Sequence, residues 1–229
     1  MTPTLDVVVP TLNAAALLAR TLSAVDTEAS GGISTITVCD GGSCDDTLAI
    51  ARGSGAGVVT APAGRGGQLA AGATAGRAPW LLFLHADTVP GPGWVETVRH
   101  FMSSPVNVGK AGYFRLRFDT PDPRARRVER LAAWRCRTFG LPYGDQGLLI
   151  ARAFYESLGG YRALPLMEDV DIARRIGRRN LVALDADAVT SARRYERGGW
   201  LQRPLRNLSC LALFLAGTPP SLVARLYGR

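Results

Sequence analysis

Lysine is nearly missing from this chain. Lys110 is the only one, so the net charge of +8 rests on arginine. A basic surface suits phosphate-bearing ligands, an anionic membrane face or nucleic acid, and charge alone does not choose among them. The basic residues lack a binding motif with interleaved aromatics, and no nucleic-acid partner is expected. Cysteine is scarce too. Cys39, Cys44, Cys136 and Cys210 show no paired metal-ligand spacing, which argues against a zinc module and for reduced thiols. No apolar run is long enough to cross a bilayer; Leu208 to Gly217 reaches about half that length. The start, Met1 to Pro10, lacks the basic region of a signal peptide, so a cytoplasmic protein is expected. There is no internal repeat and no low-complexity linker. A G-x-x-x-x-G-K-S/T loop is absent as well.

What is present reads as an α/β enzyme. The composition, 47% hydrophobic and 20% charged, is that of a globular chain with a sizeable core. Short apolar runs at Leu5–Pro10, Ile33–Cys39, Gly57–Thr60 and Trp80–Leu84 alternate with helical stretches near 14–27, 45–54 and 67–77. Asn13 is positioned to cap the first helix, Asp45 or Asp46 the second, and Gly31–Gly32 marks a turn. That alternation implies a parallel, right-handed, doubly wound sheet through about residue 90. The second half is less regular. It promises helices at Trp94–Met102, Arg124–Phe139 and Asp169–Arg179, with strands within Val106–Phe118, Gln146–Ala151 and Leu181–Asp185. On the basic helix, Val128, Leu131, Ala132 and Phe139 form the expected apolar side. From Trp200 the chain reads as helical, broken at Thr218-Pro219-Pro220. One domain over residues 1–199 with a helical extension over 200–229 packed on it is the expected organisation.

Three acidic clusters stand where strands should end or a helix begin. In Asp40-Gly41-Gly42-Ser43-Cys44-Asp45-Asp46-Thr47, two glycines suffice for a turn, and the added acid at the strand end can accept from a nucleobase or ribose. Gly64-Arg65-Gly66-Gly67-Gln68-Leu69 feeds a helix whose free N–H groups, with Arg65, can face phosphate; an ordinary glycine turn explains it equally well. His85-Ala86-Asp87-Thr88 delivers a carboxylate and an imidazole, two residues apart, to the sheet edge. In an extended chain both share a face and can approach one cation. Mg²⁺ or Mn²⁺ would take Asp87 and diphosphate oxygens, and an imidazole contact at His85 favours Mn²⁺. Glu168-Asp169-Val170-Asp171 opens a helix. One acid can cap it while another faces a substrate, and the helix N-terminus favours the ionised form that a general base needs.

Together, Val9-Pro10-Thr11-Leu12-Asn13, Asp40-Gly41-Gly42-Ser43-x-Asp45-x-Thr47, the strand-end His85-Ala86-Asp87 and Glu168-Asp169 resemble the family-2 glycosyltransferases over residues 5–195. Tyr143-Gly144-Asp145-Gln146-Gly147 and Ser191 to Glu196 resemble a short soluble bacterial subgroup associated with arsenosugar biosynthesis or radical-SAM and selenodomain proteins. The resemblance implies a GT-A fold, a doubly wound, mostly parallel sheet with a C-terminal helical extension. It places Pro10, Asn13 and Asp40 around the base and ribose, with Arg65 and Gln68 also on the nucleotide side. It makes Asp87 the metal ligand matching the last acid of D-x-D, with His85 where the first acid stands. Asp169 matches the catalytic base, with Glu168 beside it. Asp145, Gln146, Arg193 and Arg194 are expected near the diphosphate or acceptor.

The expected activity is inverting transfer of a sugar from a nucleotide diphosphate, UDP foremost, to a small-molecule or lipid-linked acceptor. A sugar nucleotidyltransferase is the alternative within the fold, although Pro10-Thr11-Leu12-Asn13 is not its glycine- and lysine-bearing loop. A non-catalytic nucleotide-sugar binding protein is the other. Two readings of Arg124–Arg137 and Leu208–Leu215 also stand open: peripheral docking on the inner membrane face, or a core-packed C-terminal helix beside a solvated basic face.

Overall fold

In the computed structural model, residues 4–27 and 32–227 are described. Gly31 of the expected glycine turn lies outside them. The first half alternates β1 (Leu5–Thr11), α1 (Ala15–Thr27), β2 (Ile33–Asp40), α2 (Thr47–Gly53), β3 (Gly57–Thr60), α3 (Arg65–Ala73) and β4 (Trp80–Phe83). Then come β5 (Thr88–Pro90), α4 (Trp94–Ser103), β6 (Ala111–Phe118), α5 (Pro123–Phe139), β7 (Leu148–Ala151) and α6 (Arg152–Ser157). The chain continues through α7 (Glu168–Ile176), β8 (Leu181–Thr190), α8 (Arg193–Gly198), α9 (Gln202–Leu215) and α10 (Pro220–Tyr227).

All eight strands form one sheet in the order β3-β2-β1-β4-β7-β6-β8-β5. The first four pair in parallel, as their βαβ spacing demands. β7 then runs antiparallel to both β4 and β6, β8 returns parallel to β6, and β5 closes the far edge antiparallel to β8. These directions bring the carboxyl ends of β1, β2, β4, β6 and β8 to one edge, where β7 also begins. Ligand sites of open α/β sheets lie at that edge.

Apolar layers cover both faces. Leu18, Leu22 and Val25 of α1 and Trp94, Val98 and Phe101 of α4 pack on one face. Leu69 and Ala73 of α3 and Ile172 and Ile176 of α7 pack on the other. Gly72 lets α3 sit close, since a Cβ there would lie 2.4 Å from both Cys39 Sγ and Val8 Cγ1. A buried ion pair staples the halves. Asp6 accepts from Arg152 Nη2 at 2.7 Å, Ala78 N at 2.8 Å and Thr35 Oγ1 at 2.7 Å, which satisfies a carboxylate only 2% exposed.

The second half follows the expected order of elements and departs from the expectations in detail. β6 starts only at Ala111, because Pro105–Asn107 makes a 3₁₀ turn. β8 runs on to Thr190, held by its pairing with β6 and β5. β5 is short, bears a proline and was not expected as a strand. The apolar side assigned to the basic helix holds for Ala132 and Val128, which pack in one cluster, and is corrected for the other two residues. Ala125, Glu129, Ala132 and Cys136 of α5 face inward, while Leu131 and Phe139 are 60% and 55% exposed. Glu129 decides this rotation: its carboxylate accepts from Phe118 N, Arg117 and Arg126, a set of partners that a buried acid requires. The C-terminal helices pack inward through Cys210, Leu211, Val223 and Ala224 against Leu166, Met167, Val170 and Ala173.

Candidate active site

Two loops at the sheet edge brace each other. Asn13 has a positive φ of 50°, and its Oδ1 accepts from Cys44 N at 2.9 Å while its own N–H donates to Ser43 Oγ at 2.8 Å. Asn13 therefore does not cap α1 with its side chain. Thr47 Oγ1 and Asp45 Oδ2, from the neighbouring loop, accept from Ala14 N and Ala15 N instead. Asp40 is 1% exposed and accepts from Thr11 Oγ1, Gly42 N, Ser43 N and Ser43 Oγ. Burial pushes its carboxyl up, but those donors outweigh it and hold the pKa below its ordinary value. Four bonds fill a carboxylate's acceptor sites, so in this structure Asp40 shapes the loop and is not free for a base. Gln68 is likewise engaged, its Nε2 donating to Thr11 O at 2.6 Å and Cys39 O at 2.8 Å.

The segment after β4 is a tight turn, not the extended chain expected for His85 to Asp87. Thr88 N donates to His85 O at 3.1 Å, and Thr21 Oγ1 donates to Ala86 O at 2.9 Å. The Asp87 carbonyl accepts from Ser191 N and Thr190 Oγ1, both at 3.3 Å, which ties it to the end of β8. Its carboxylate lies 3.8 Å from Arg194 Nη2. The imidazole of His85 packs on Gly144, where a Cβ would fall 2.3 Å from Nε2.

Glu168 and Asp169 open α7 directly after Met167, whose φ of 65° is the other positive value among the described non-glycine residues. Such a conformation costs roughly 1–3 kcal/mol and survives only where the surroundings enforce it. Here it turns the chain into α7, whose successive positions send the two acids in different directions. Glu168 is 1% exposed and lies 3.4 Å from Arg65 Nη1. Burial opposes the Arg65 charge, yet Glu168, Asp169 and Asp87 outweigh it and raise its pKa. Asp169 lines the cavity, with Oδ2 accepting from Gly144 N at 2.9 Å and Oδ1 from Val170 N at 2.8 Å. Asp145 lies in the same wall. Its Oδ1 is shielded from solvent and has no hydrogen-bond partner, and its pKa is raised to about 6 by burial first, then by Asp169 and Asp87. Gln146 points elsewhere. It is 1% exposed, and its amide bonds Phe114 O and Arg135, which removes it from the ligand set expected at the diphosphate or acceptor.

Two cavities meet at this edge. A cleft of about 800 Å³ runs past Pro10, Asn13, Gln68 and Arg193, and a pocket of about 120 Å³ holds Asp145, Glu168 and Asp169. Arg65, His85, Asp87, Ser191 and Arg194 line both. Arg197 and Arg225 in the cleft and Arg203, Asn207 and Tyr227 in the pocket were not expected from sequence. Arg203 and Asn207, four apart and so on one face of the helix, are the signal that could have marked them. Among the described residues no group of three or more His, Cys, Asp or Glu side chains gathers for a metal. One carboxylate at the junction, with an imidazole beside it, fits a hard cation whose other ligands come from a diphosphate.

The model described as Glycosyl transferase family 2 matches residues 6–158. No curated protein matches the sequence. Among solved structures, glucosyl-3-phosphoglycerate synthase from Mycobacterium tuberculosis, in complex with Mn²⁺, UDP and glucosyl-3-phosphoglycerate, is 20% identical. The match covers 82% of this chain and 70% of that one, with a TM-score of 0.57. The same enzyme with Mn²⁺ and UDP-glucose matches at 20% identity over 82% and 70% of the two chains, TM-score 0.58. Its complex with Mg²⁺ and UDP matches at 20% identity and the same coverage, TM-score 0.57. At such identity these likenesses speak for the fold, which is GT-A. The family match takes in well over half of the chain and runs through the Asp40 loop, the Asp87 turn and the Asp145 wall: the chain belongs to glycosyl transferase family 2 and is a glycosyltransferase.

Proposed function

We propose that the enzyme transfers a sugar from UDP to a small acceptor hydroxyl with inversion, Asp169 acting as general base. One observation carries this reading: Asp87 and its neighbours line both the large cleft and the small pocket that holds Asp169. The cleft has room for a nucleotide, the pocket for the reacting hydroxyl, and the junction for the diphosphate between them. Arg193, Arg194, Arg197 and Arg225 offer cationic charge along the cleft.

In the proposed step, the acceptor oxygen bonds to the anomeric carbon as the bond from that carbon to the diphosphate breaks. The acceptor's proton passes to Asp169, and UDP leaves with the bonding pair. Gly144 N and Val170 N fix the Asp169 carboxylate for that transfer. Asp87, with His85 beside it, would hold a divalent cation. Bound there, Mn²⁺ or Mg²⁺ would supply electrostatic stabilisation of the charge developing on the leaving diphosphate. Arg65 is held by Glu168 at the same junction, and the Asp145 carboxylate in the pocket wall is offered as an acceptor for a sugar hydroxyl. The subgroup likeness of Tyr143–Gly147 rests on sequence alone and adds no acceptor to this reading.

The test is release of UDP and transferred sugar from UDP-sugars. Asp169→Asn keeps the shape of the side chain and removes its basicity, so UDP-sugar binding should persist while turnover falls by about 10²–10⁴-fold. Native turnover in Asp169→Asn would place the base elsewhere. A nucleotidyltransferase would instead release pyrophosphate from a nucleoside triphosphate, and a non-catalytic binding protein would release no nucleotide at all.

A further inference from the structure

The helix that closes the pocket has two faces of different use. Inward, α9 presents Arg203 and Asn207 to the pocket and packs through Cys210 and Leu211. Outward runs Leu201, Leu205, Leu208, Ala212 and Leu215, spaced four, three, four and three residues apart, which puts them on one stripe. Leu201, Leu205 and Leu208 are 78%, 62% and 60% exposed, and Leu215 is 47% exposed. An apolar stripe of this regularity on an exposed helix is unusual for a surface that meets only water.

The charge around it is of one sign. From Arg197 to the end of the chain there is no aspartate or glutamate, and Arg206 stands exposed among the leucines, while Arg197 and Arg225 line the cleft. α5 lies on the same flank and repeats the pattern. Arg124 sits 5.9 Å over the Trp200 ring at the start of both helices. At their ends Arg135 donates to Leu141 O, and Leu141 packs with Leu211. The outer side of α5 exposes Leu131 and Trp134 beside Arg127 and Arg130, with Trp134 edge-on to Phe139 at 5.3 Å. No helix among the described residues is long and apolar enough to cross a membrane.

We propose that this flank docks peripherally on an anionic lipid surface, α9 lying in the interfacial plane with its leucine stripe in the lipid. Charge complementarity selects this occupant. Arginines flanking an apolar stripe meet anionic headgroups while their stems lie along the hydrocarbon boundary, and Trp134 belongs to the residues that favour that boundary. A second copy presenting the same face would set arginine against arginine with no acid from the C-terminal helices to offset them. At about 21 Å, fourteen residues of α9 lie along a surface and do not span it.

The experiment is flotation of the full chain with vesicles containing about 30 mol% phosphatidylserine in phosphatidylcholine, and with phosphatidylcholine alone. Binding should require phosphatidylserine and weaken in high salt. L205E/L208E should lose binding by more than about tenfold, since it places two charges where the stripe meets hydrocarbon. R127E/R130E should lose about tenfold or more, through the electrostatic contribution alone. Both pairs are exposed and line neither cavity, so circular dichroism and melting temperature should stay native and show that the loss is not unfolding. Equal binding to both vesicle types, native binding by L205E/L208E, or no binding by the native chain would overturn the proposal. So would a dimer that L205E/L208E dissociates in the absence of vesicle binding.

Discussion

Asp145→Asn should make the protein more stable at neutral pH. In the folded chain this carboxyl loses its proton near 6, against an ordinary value of 3.8. Its Oδ1 has no donor, so ionisation leaves a charge that neither water nor protein solvates well. The unfolded chain sheds the proton first, so stability falls as pH rises from 3.8 toward 6, and the full deficit stands above 6. Two units of pKa correspond to about 3 kcal/mol as an upper bound, and the half-buried setting of the residue brings the expected figure to about 1–3 kcal/mol. Asn keeps the shape and carries no charge. For a chain of this size each kcal/mol moves the melting temperature by about 2–4 °C, so the variant should melt about 2–12 °C higher at pH 8. Melting curves of both proteins across the acid range give the test, because the gap should close as the pH approaches 4. A variant that melts at or below the native temperature at pH 8, or a gap independent of pH, would refute the argument. The gain should come with a weaker grip on the sugar, read as a higher KM for the UDP-sugar, the usual exchange of stability against function at a site.

Asp87→Ala should abolish most of the Mn²⁺-dependent gain in UDP affinity measured by calorimetry, and equal affinities in EDTA and Mn²⁺ for the native protein would refute the metal assignment. Glu168→Gln leaves Arg65 beside a neutral partner at a nearly buried site, so unfolding should become easier by about 1–3 kcal/mol in denaturant. Its turnover should fall less than that of Asp169→Asn. Gly144→Ala drives a methyl into the His85 ring, and it should cost about 1–3 kcal/mol of stability and weaken UDP binding, checked by melting and calorimetry on one sample.

The parallel half of the sheet was legible because its signals are local. Leu5–Pro10, Ile33–Cys39, Gly57–Thr60 and Trp80–Leu84 are apolar runs bounded by turn residues, and the structure shifts their ends by no more than about a residue. β5 was not legible, since three residues ending in proline become a strand only through a partner about a hundred positions away. The face of α5 was misread for a related reason. A glutamate belongs outside by composition, and only the fold brings Phe118 N, Arg117 and Arg126 to it. At the site, sequence named Asp87, Asp169 and Asp145, which the structure gathers around one pocket. It also named Asp40, Gln68 and Gln146, whose polar atoms are engaged with neighbouring loops and strands. Residue type announces that a polar group needs partners. It does not say whether the partner is a ligand or the protein itself.

The pairing of Thr88 with Thr190, 102 residues apart, also sets an order of events during synthesis. The strands that carry Pro10 and Asp40 to the sheet edge leave the ribosome within the first third of the chain. The turn bearing Asp87 has its anchor only when Thr190 and Ser191 emerge, about 5–20 s later at ordinary elongation rates. A nascent chain therefore has the Pro10 and Asp40 side of the edge well before Asp87 is fixed, and before Arg193, Arg197 and Arg225 supply the other wall of the cleft. Chains truncated ahead of β8 inherit the same incompleteness, with one wall of the cleft beside a loose Asp87.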